Sequence, residues 1–200
     1  AHEGTGYPVG KVNTLDLFPL SFRELLDATG NIMFRKLLDS SDTCSMKSFA
    51  PKITMFLRQY YVVGGMPAAV DAFAQGAEFS EVRKIQSDIL EGYQRDFAKH
   101  APCRTLPRMM EAWESIPSHL SQENRKFIFG HIRKGARAKD YEEALTWLVQ
   151  AGLIIRVPRV SKPELPLASY NDNKSFKVFL LDVGLLGAMS ELEPAAIVNG

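Results

Sequence analysis

The spacing of hydrophobic residues changes along the chain, and each spacing predicts a different element. Residues 11–17 (KVNTLDL) nearly alternate between apolar and polar, which predicts a short strand. Ser21 and Glu24 then have the S-x-x-E spacing of a capping box, in which both side chains accept hydrogen bonds from otherwise unpaired N–H groups at a helix start. This spacing predicts a helix that starts at Phe22 and stops at Gly30.

A polar stretch separates this helix from further helical sequence. Residues 39–48 (DSSDTCSMKS) are rich in Ser and Asp and predict a loop. Over residues 51–61 apolar side chains have helical spacing, so a helix is predicted there. Gly64 and Gly65 predict its end, and Pro67 suits the first turn of the next helix, where its missing N–H costs nothing.

The longest predicted helix covers residues 80–99, because its apolar residues form one stripe and its charged residues cover the opposite side. The stripe consists of Val82, Ile85, Ile89, Tyr93 and Phe97. Three more helices are predicted over residues 106–116, 122–133 and 138–151, and Gly152 ends the last of them.

Two strands are predicted after these helices, at residues 153–160 (LIIRVPRV) and 176–181 (FKVFLL), with a Pro-rich loop between them. Three helices followed by such a hairpin is the order of a winged helix-turn-helix, whose hairpin loop is the wing. The sequence therefore predicts a mainly α fold with a small β hairpin. The alternative is a helical bundle with a hairpin attached.

Composition and charge narrow the class of protein. The 200 residues carry 24 Lys+Arg and 23 Asp+Glu, and a net charge of +1 gives the whole molecule no attraction to nucleic acid or to a membrane surface. The longest apolar run, residues 60–70, is too short to span a bilayer. Cys44 and Cys103 are isolated, which indicates neither a disulfide framework nor a zinc site. These features predict a cytoplasmic protein without membrane contact.

No complete catalytic motif is present in the sequence. GTGYPVGKV near the N-terminus is not a phosphate loop, because Thr5 stands where G-x-x-x-x-G-K-[ST] requires Gly and Val12 where it requires Ser or Thr. The four histidines are scattered. Asp182, between a strand and a helix predicted to start near Val183, is interpreted as an N-cap rather than a buried acid. We therefore expect no catalytic residue and no metal ligand in this chain.

Local charge is more informative than total charge. The segment from Asn124 to Lys139 holds six basic residues and no acidic one, where a winged helix usually contacts phosphates. In a winged helix, the predicted helix over residues 138–151 would be the recognition helix, the one that faces DNA. Glu142 and Glu143 on it would repel phosphates, so a solvated or protein-binding face is at least as well supported as DNA binding. The candidate nucleic-acid contacts are Arg125, Lys126, Arg133, Lys134, Arg137 and Lys139.

The segment Gly64, Gly65, Met66 and Pro67 is a second candidate site. Two glycines ahead of a proline at a helix start let the backbone approach a flat ligand closely, and the proline offers an apolar surface. A purely structural turn between two helices has the same sequence features, and composition alone favours the turn.

Five segments carry a resemblance to a known family. They are YPVGKVNTLDLFPLSFRELLDATG, YYVVGGMPAAVDAF, EVRKIQSDILEGYQRDFAKHA, ESIPSHLSQENRKFIFGHIRKGARAKDYEEALTWLVQAGLI and FKVFLLDVGLLGAM. In this order they resemble bacterial and archaeal AAA-type P-loop ATPases whose C-terminal half is an uncharacterised domain with a nuclease-like fold.

The resemblance implies that the chain is a middle part of such a protein. Residues 1–30 would be the end of the ATPase core, 31–101 a helical lid, 102–190 the winged helix and 191–200 the start of the next domain. The family's phosphate-binding and magnesium-binding motifs would precede this chain, so ATP and Mg²⁺ would be bound by the full-length protein and not by this part. Gly64, Gly65, Met66 and Pro67 would correspond to a lid motif whose proline packs near the nucleotide base.

The resemblance also implies the partners and the function. The partners would be the upstream ATPase core and the downstream nuclease-like domain, in a parent that can be an oligomer. The expected function is to couple the nucleotide state to a partner or domain. The alternatives are a nucleic-acid-binding module, with DNA as its partner, and a protein-interaction module.

Overall fold

Twelve α-helices, one short 3-10 helix (Leu167–Tyr170) and one antiparallel hairpin make up the regular structure of residues 15–40 and 42–199, which the computed structural model describes. The first six helices are α1 (Phe22–Ala28), α2 (Ile32–Asp39), α3 (Thr43–Ser48), α4 (Ala50–Val63), α5 (Pro67–Ala74) and α6 (Phe79–His100). The other elements are α7 (Leu106–Glu114), α8 (Ile116–Leu120), α9 (Phe129–Ile132), α10 (Ala138–Gln150), β1 (Ile154–Val160), β2 (Asn171–Leu180), α11 (Val183–Met189) and α12 (Pro194–Val198). The predicted mainly α fold with a small β hairpin is confirmed.

The capping box at the start of α1 is confirmed. The Ser21 hydroxyl accepts a hydrogen bond from the Glu24 N–H at 3.4 Å, and the Glu24 carboxylate accepts one from the Ser21 N–H at 2.7 Å. Gly30 follows the helix with a φ of +74°, as predicted. Of the predicted strand at residues 11–17, positions 11–14 lie outside the described residues, and residues 15–17 have no regular secondary structure.

The loop predicted over residues 39–48 is wrong for its second part, where α3 forms. The Asp42 carboxylate accepts hydrogen bonds from the N–H groups of Cys44 and Ser45 at 3.1 and 3.2 Å. Asp and Ser favour loops because their short polar side chains bond to the nearby backbone, and the same property makes them N-caps. The polar composition therefore marked a helix start as much as a loop.

Helices α1, α4, α5 and α6 pack around a small apolar core. Helix α4 ends at Gly64 and α5 begins at Pro67, as predicted. Along α6 the buried face includes Val82 and Phe97 from the predicted stripe, whereas Ile85, Ile89 and Tyr93 are only half-buried. Gln86 and Leu90 complete the buried face. The buried side is thus rotated slightly from the predicted stripe and contains one polar residue.

In the second half four helices, α7 to α10, precede the hairpin, where the sequence predicted three. Helix α10 packs on α7 and on β1, and a core containing Trp113, Tyr141 and Leu148 fills the space between them. The helix predicted over residues 122–133 is wrong for its first part, because only Phe129–Ile132 is helical. Instead Arg125 adopts a φ of +51°, and the Phe127 N–H donates to the Phe176 carbonyl in β2 at 2.9 Å.

The hairpin leads the chain back to the first helices. Its strands pair from Ile154 opposite Leu180 to Val160 opposite Asn171, with an irregularity between Pro158 and Arg159. β2 is longer than predicted, since it begins at Asn171. After β2, α11 packs on α4 and α6, and α12 packs on α4. The helices that follow the hairpin are therefore in direct contact with the helices near the glycine segment.

Candidate functional site

The segment Gly64, Gly65, Met66 and Pro67, hereafter the glycine turn, joins α4 to α5. Gly64 and Gly65 are buried, Met66 is half-buried and Pro67 is exposed. Gly64 has a φ of +69°, a backbone conformation that L side chains rarely adopt, so it ends α4 where another residue would be strained. The turn thus presents its proline to solvent and its glycine backbone to the protein interior.

One side of the glycine turn packs closely against the segment that precedes α1. The Leu20 N–H donates to the Gly65 carbonyl at 2.7 Å, and the Leu20 carbonyl accepts a hydrogen bond from the Tyr60 hydroxyl at 2.9 Å. A Cβ atom on Gly65 would lie 2.0 Å from the Leu20 carbonyl oxygen. The second glycine is therefore required by close contact with the chain's own backbone.

Asp182 lies on the other side of the glycine turn. It is only 4% exposed, and its carboxylate accepts hydrogen bonds from the Gly65 N–H at 2.6 Å and the Leu185 N–H at 2.9 Å. A Cβ atom on Gly64 would lie 2.3 Å from this carboxylate. The predicted N-cap role is confirmed by the bond to Leu185, but Asp182 is also a buried acid, which the sequence analysis had set aside. The bond to Gly65 was not predicted, because nothing local in the sequence links two residues so far apart.

Gln86 and Arg83 extend this hydrogen-bonded cluster. The buried Gln86 amide donates to the Val62 and Val63 carbonyls, both at 2.9 Å, and so satisfies two orphan groups at the end of α4. Its oxygen accepts from Arg83 at 2.9 Å, and Arg83 also donates to the Gly184 carbonyl at 3.1 Å. Sequence reasoning missed Gln86, whose only signal is a polar residue four positions after Val82 on the buried face.

The glycine turn suits a flat apolar group better than a phosphate. The Gly65 N–H is bonded to Asp182, and the Gly64 N–H is bonded to the Tyr60 carbonyl at 2.7 Å. Neither glycine N–H is therefore free to bind a phosphate oxygen. Exposed Pro67 and half-buried Met66 offer an apolar surface on which a nucleotide base can pack. The nucleotide contact of this segment stays a prediction.

The six candidate nucleic-acid contacts Arg125, Lys126, Arg133, Lys134, Arg137 and Lys139 are all exposed. The acidic residues that argued against phosphate binding are paired. Glu142 forms an ion pair with Arg156 at 2.6 Å, and Glu143 forms one with Arg104 at 3.2 Å. Because each carboxylate has a guanidinium partner, the repulsion of phosphates expected from these residues on α10 is smaller than the sequence indicates.

Burial raises the pKa of Asp182 above its ordinary value of 3.8, although the Gly65 and Leu185 N–H groups act in the opposite direction. The folded protein therefore holds this proton more tightly than the unfolded chain does. Relative to Asp182→Asn, which does not titrate, wild-type stability is expected to be highest below pH 3.8 and to fall as pH rises through the raised pKa. Urea unfolding of both proteins from about pH 4 to pH 7 measures the difference. If the free energy of unfolding of wild type minus that of Asp182→Asn stays constant or grows with pH, the pKa of Asp182 is not raised by folding.

Comparison with known proteins places the chain in a family without assigning it an activity. Residues 55–196 match the family model described as a domain of unknown function, DUF8612, and the chain belongs to this family. No curated protein and no solved structure matches it. In the described part of the chain, no helix is long and apolar enough to cross a membrane. The same residues contain no group of three or more His, Cys, Asp or Glu side chains that could hold a metal ion.

Proposed function

We propose that this chain supplies the helical lid and the winged helix of an AAA-type ATPase and transmits the nucleotide state from one to the other. The lid comprises α2 to α6 within residues 31–101, with the glycine turn facing the nucleotide, and the winged helix comprises α7 to α11 within residues 102–190. The phosphate-binding core and a nuclease-like domain would be its partners in the same protein. ATP and Mg²⁺ would be held mainly by that core, and this chain would contribute the apolar surface of Met66 and Pro67.

The hydrogen bond from the Gly65 N–H to the Asp182 carboxylate carries the proposal. It joins the element that would contact the nucleotide to the residue that follows the hairpin. Gly64 and Gly65 are too tightly packed to move without moving Asp182 or Leu20, because a single added carbon has no room at either position. A displacement of the glycine turn is therefore expected to be transmitted to its neighbours.

Asp182 is in turn tied to the hairpin. β2 ends at Leu180, and the Leu181 N–H donates to the carbonyl of Leu153, the residue just before β1, at 3.0 Å. Asp182 thus stands two residues after the strand, with both strands anchored beside it. This path from the glycine turn to the hairpin is short and hydrogen-bonded, which supports a coupling role.

The proposal makes a direct prediction for the 200-residue chain. Calorimetric titration with ATP and Mg²⁺ is expected to show no tight binding, and phosphate release is expected to stay at the background rate, because the two glycine N–H groups of the glycine turn are already bonded within the protein. Tight ATP binding with magnesium-dependent turnover would overturn the claim that the phosphates are held elsewhere.

The coupling itself is tested in the protein expressed from its full reading frame, which must contain a phosphate loop. ATP is expected to slow amide hydrogen exchange both at residues 64–66 and in the hairpin. In Asp182→Ala the effect at residues 64–66 should persist while the effect in the hairpin is lost. Asp42→Ala, which removes a different helix cap, is the matched control and should retain both effects. The absence of a phosphate loop, or an unchanged response of the hairpin in Asp182→Ala, contradicts the proposal.

A further inference from the structure

The hairpin contains an irregularity that opens a cleft on its surface. Pro158 is opposite Phe176, but the next residue, Arg159, is opposite Asp172, so residues 173–175 bulge out of β2. Proline has no N–H to donate to the partner strand, and bulges are among the few places where a strand tolerates it. The resulting cleft has a volume of about 330 Å³ and lies between the bulge, β1 and the turn before α9.

The walls of the cleft are held in place by hydrogen bonds. The Arg156 guanidinium lies 3.9 Å above the Phe176 ring and donates to the Asn173 carbonyl at 3.1 Å, which fixes the bulge. Next to the lining residue Lys126, the Phe127 N–H donates to the Phe176 carbonyl at 2.9 Å, and the Lys126 N–H donates to the Asn124 side chain at 2.9 Å. The cleft is thus formed before any ligand binds.

Three basic residues line this cleft, and they come from three separate segments. They are Lys126, Arg159 and Lys177. None of the three forms an ion pair with a carboxylate among the described residues. The other lining residues are neutral. Asp172, which is opposite Arg159 in the strand register, does not line the cleft, and its carboxylate accepts from the Lys174 N–H at 3.0 Å.

We propose that this cleft, hereafter the hairpin cleft, binds the phosphodiester backbone of a nucleic acid. Three cations around one open groove match a run of phosphates, whereas an isolated inorganic phosphate would engage only part of the set. Val157 and Pro158 also line the cleft and offer apolar surface to a sugar or a base. Lys and Arg bind phosphates without reading bases, so the binding is independent of sequence.

Among the six basic residues in the segment from Asn124 to Lys139, Lys126 alone lines the hairpin cleft. The proposal therefore places the main phosphate contacts on the hairpin and not on the turn between α9 and α10. It rests on the hairpin geometry alone and is independent of the ATPase proposal.

The test compares two triple variants of the same chain that lose equal charge. Fluorescence anisotropy measures binding of labelled single-stranded DNA, single-stranded RNA and duplex DNA at about 50 mM salt and above. The cleft variant Lys126→Gln, Arg159→Gln, Lys177→Gln is expected to bind at least tenfold more weakly. Its log K against log salt slope should be shallower by about 2 to 3, because each phosphate contact contributes about 0.9 on duplex DNA.

The control variant is Arg133→Gln, Lys134→Gln, Arg137→Gln, which we expect to lose no more than about threefold in affinity. All six residues are exposed, and circular dichroism verifies that both variants remain folded. The three single cleft variants, each weaker than wild type, provide a second measurement that does not depend on the triple variant. Comparison of the three oligonucleotides identifies which nucleic acid the cleft prefers.

Three results would overturn the proposal. The first is an absence of wild-type binding to every oligonucleotide at low salt. The second is an equal or larger loss in the control variant, which would place the contacts at the turn before α10. The third is binding to vesicles of anionic phospholipid that is tighter than binding to nucleic acid and is lost selectively in the cleft variant, because the ligand would then be a membrane surface.

Discussion

Gly65→Ala is expected to lower the free energy of unfolding by about 3 kcal/mol or more. The added methyl carbon would lie 2.0 Å from the Leu20 carbonyl oxygen, far inside van der Waals contact. The segment before α1 must then move away, which breaks the hydrogen bond from the Leu20 N–H to Gly65 and strains the one from Tyr60 to Leu20. The Leu20 carbonyl cannot move away easily, because it belongs to the backbone and not to a flexible side chain.

Urea unfolding followed by circular dichroism measures this effect, and Gly92→Ala is the matched control. Gly92 lies inside α6, and a Cβ atom added there would have open space, with no atom of another element within 4 Å. Because alanine favours a helix interior over glycine, the control is expected to gain about 0.5–1 kcal/mol. The same substitution should therefore have opposite effects at the two positions. A loss below about 1 kcal/mol in Gly65→Ala would show that the contact with Leu20 is not tight.

Asp182→Ala is expected to cost about 2–4 kcal/mol, because it removes the acceptor of two hydrogen bonds at a buried position. The loss of an N-cap explains about 1 kcal/mol of this, through the N–H of Leu185. The remainder comes from the Gly65 N–H, which would be left buried without a partner. An ordinary helix cap accepts hydrogen bonds only from N–H groups of the helix that it caps, whereas Asp182 also accepts one from Gly65.

Asp42→Ala separates these two contributions. Asp42 also caps a helix and also accepts from two N–H groups, those of Cys44 and Ser45, but it is exposed and both of its partners belong to the helix that it caps. We expect Asp42→Ala to cost about 1 kcal/mol. Equal losses in the two variants, measured by urea unfolding at one pH, would mean that the bond between Asp182 and Gly65 contributes nothing to stability.

Elements with local signals were predicted well from the sequence. The capping box at Ser21 and Glu24, the end of α4 at Gly64 and the start of α5 at Pro67 each depend on residues only a few positions apart. The predicted secondary structure was wrong where one sequence pattern is compatible with two local structures. Asp42 lies in a polar stretch that favours a loop, yet its carboxylate starts α3. Residues 122–128 have helix-compatible composition, but the bond from Phe127 to β2 holds part of the segment extended.

The candidate sites show the same division between local and long-range information. The sequence identified the glycine turn and the basic residues, and it identified Asp182 as a cap. Nothing in it indicated that Asp182 meets Gly65, or that Lys126 shares a cleft with Arg159 and Lys177. These residues come from different elements, and their distances depend on how α11 packs on α4 and on how the hairpin pairs.

The sequence by itself therefore determined most of the secondary structure, the mainly α class and the residue types available for binding, because periodicity, caps and turn residues act within a few positions. The tertiary structure decided which of those residues meet. It placed the two glycines of a predicted turn in packed contact with Leu20 and Asp182, because burial leaves no space for a side chain and no water to satisfy a free N–H. The same folding brought Lys126, Arg159 and Lys177 together around one cleft, where the register of the strands shifts after Pro158.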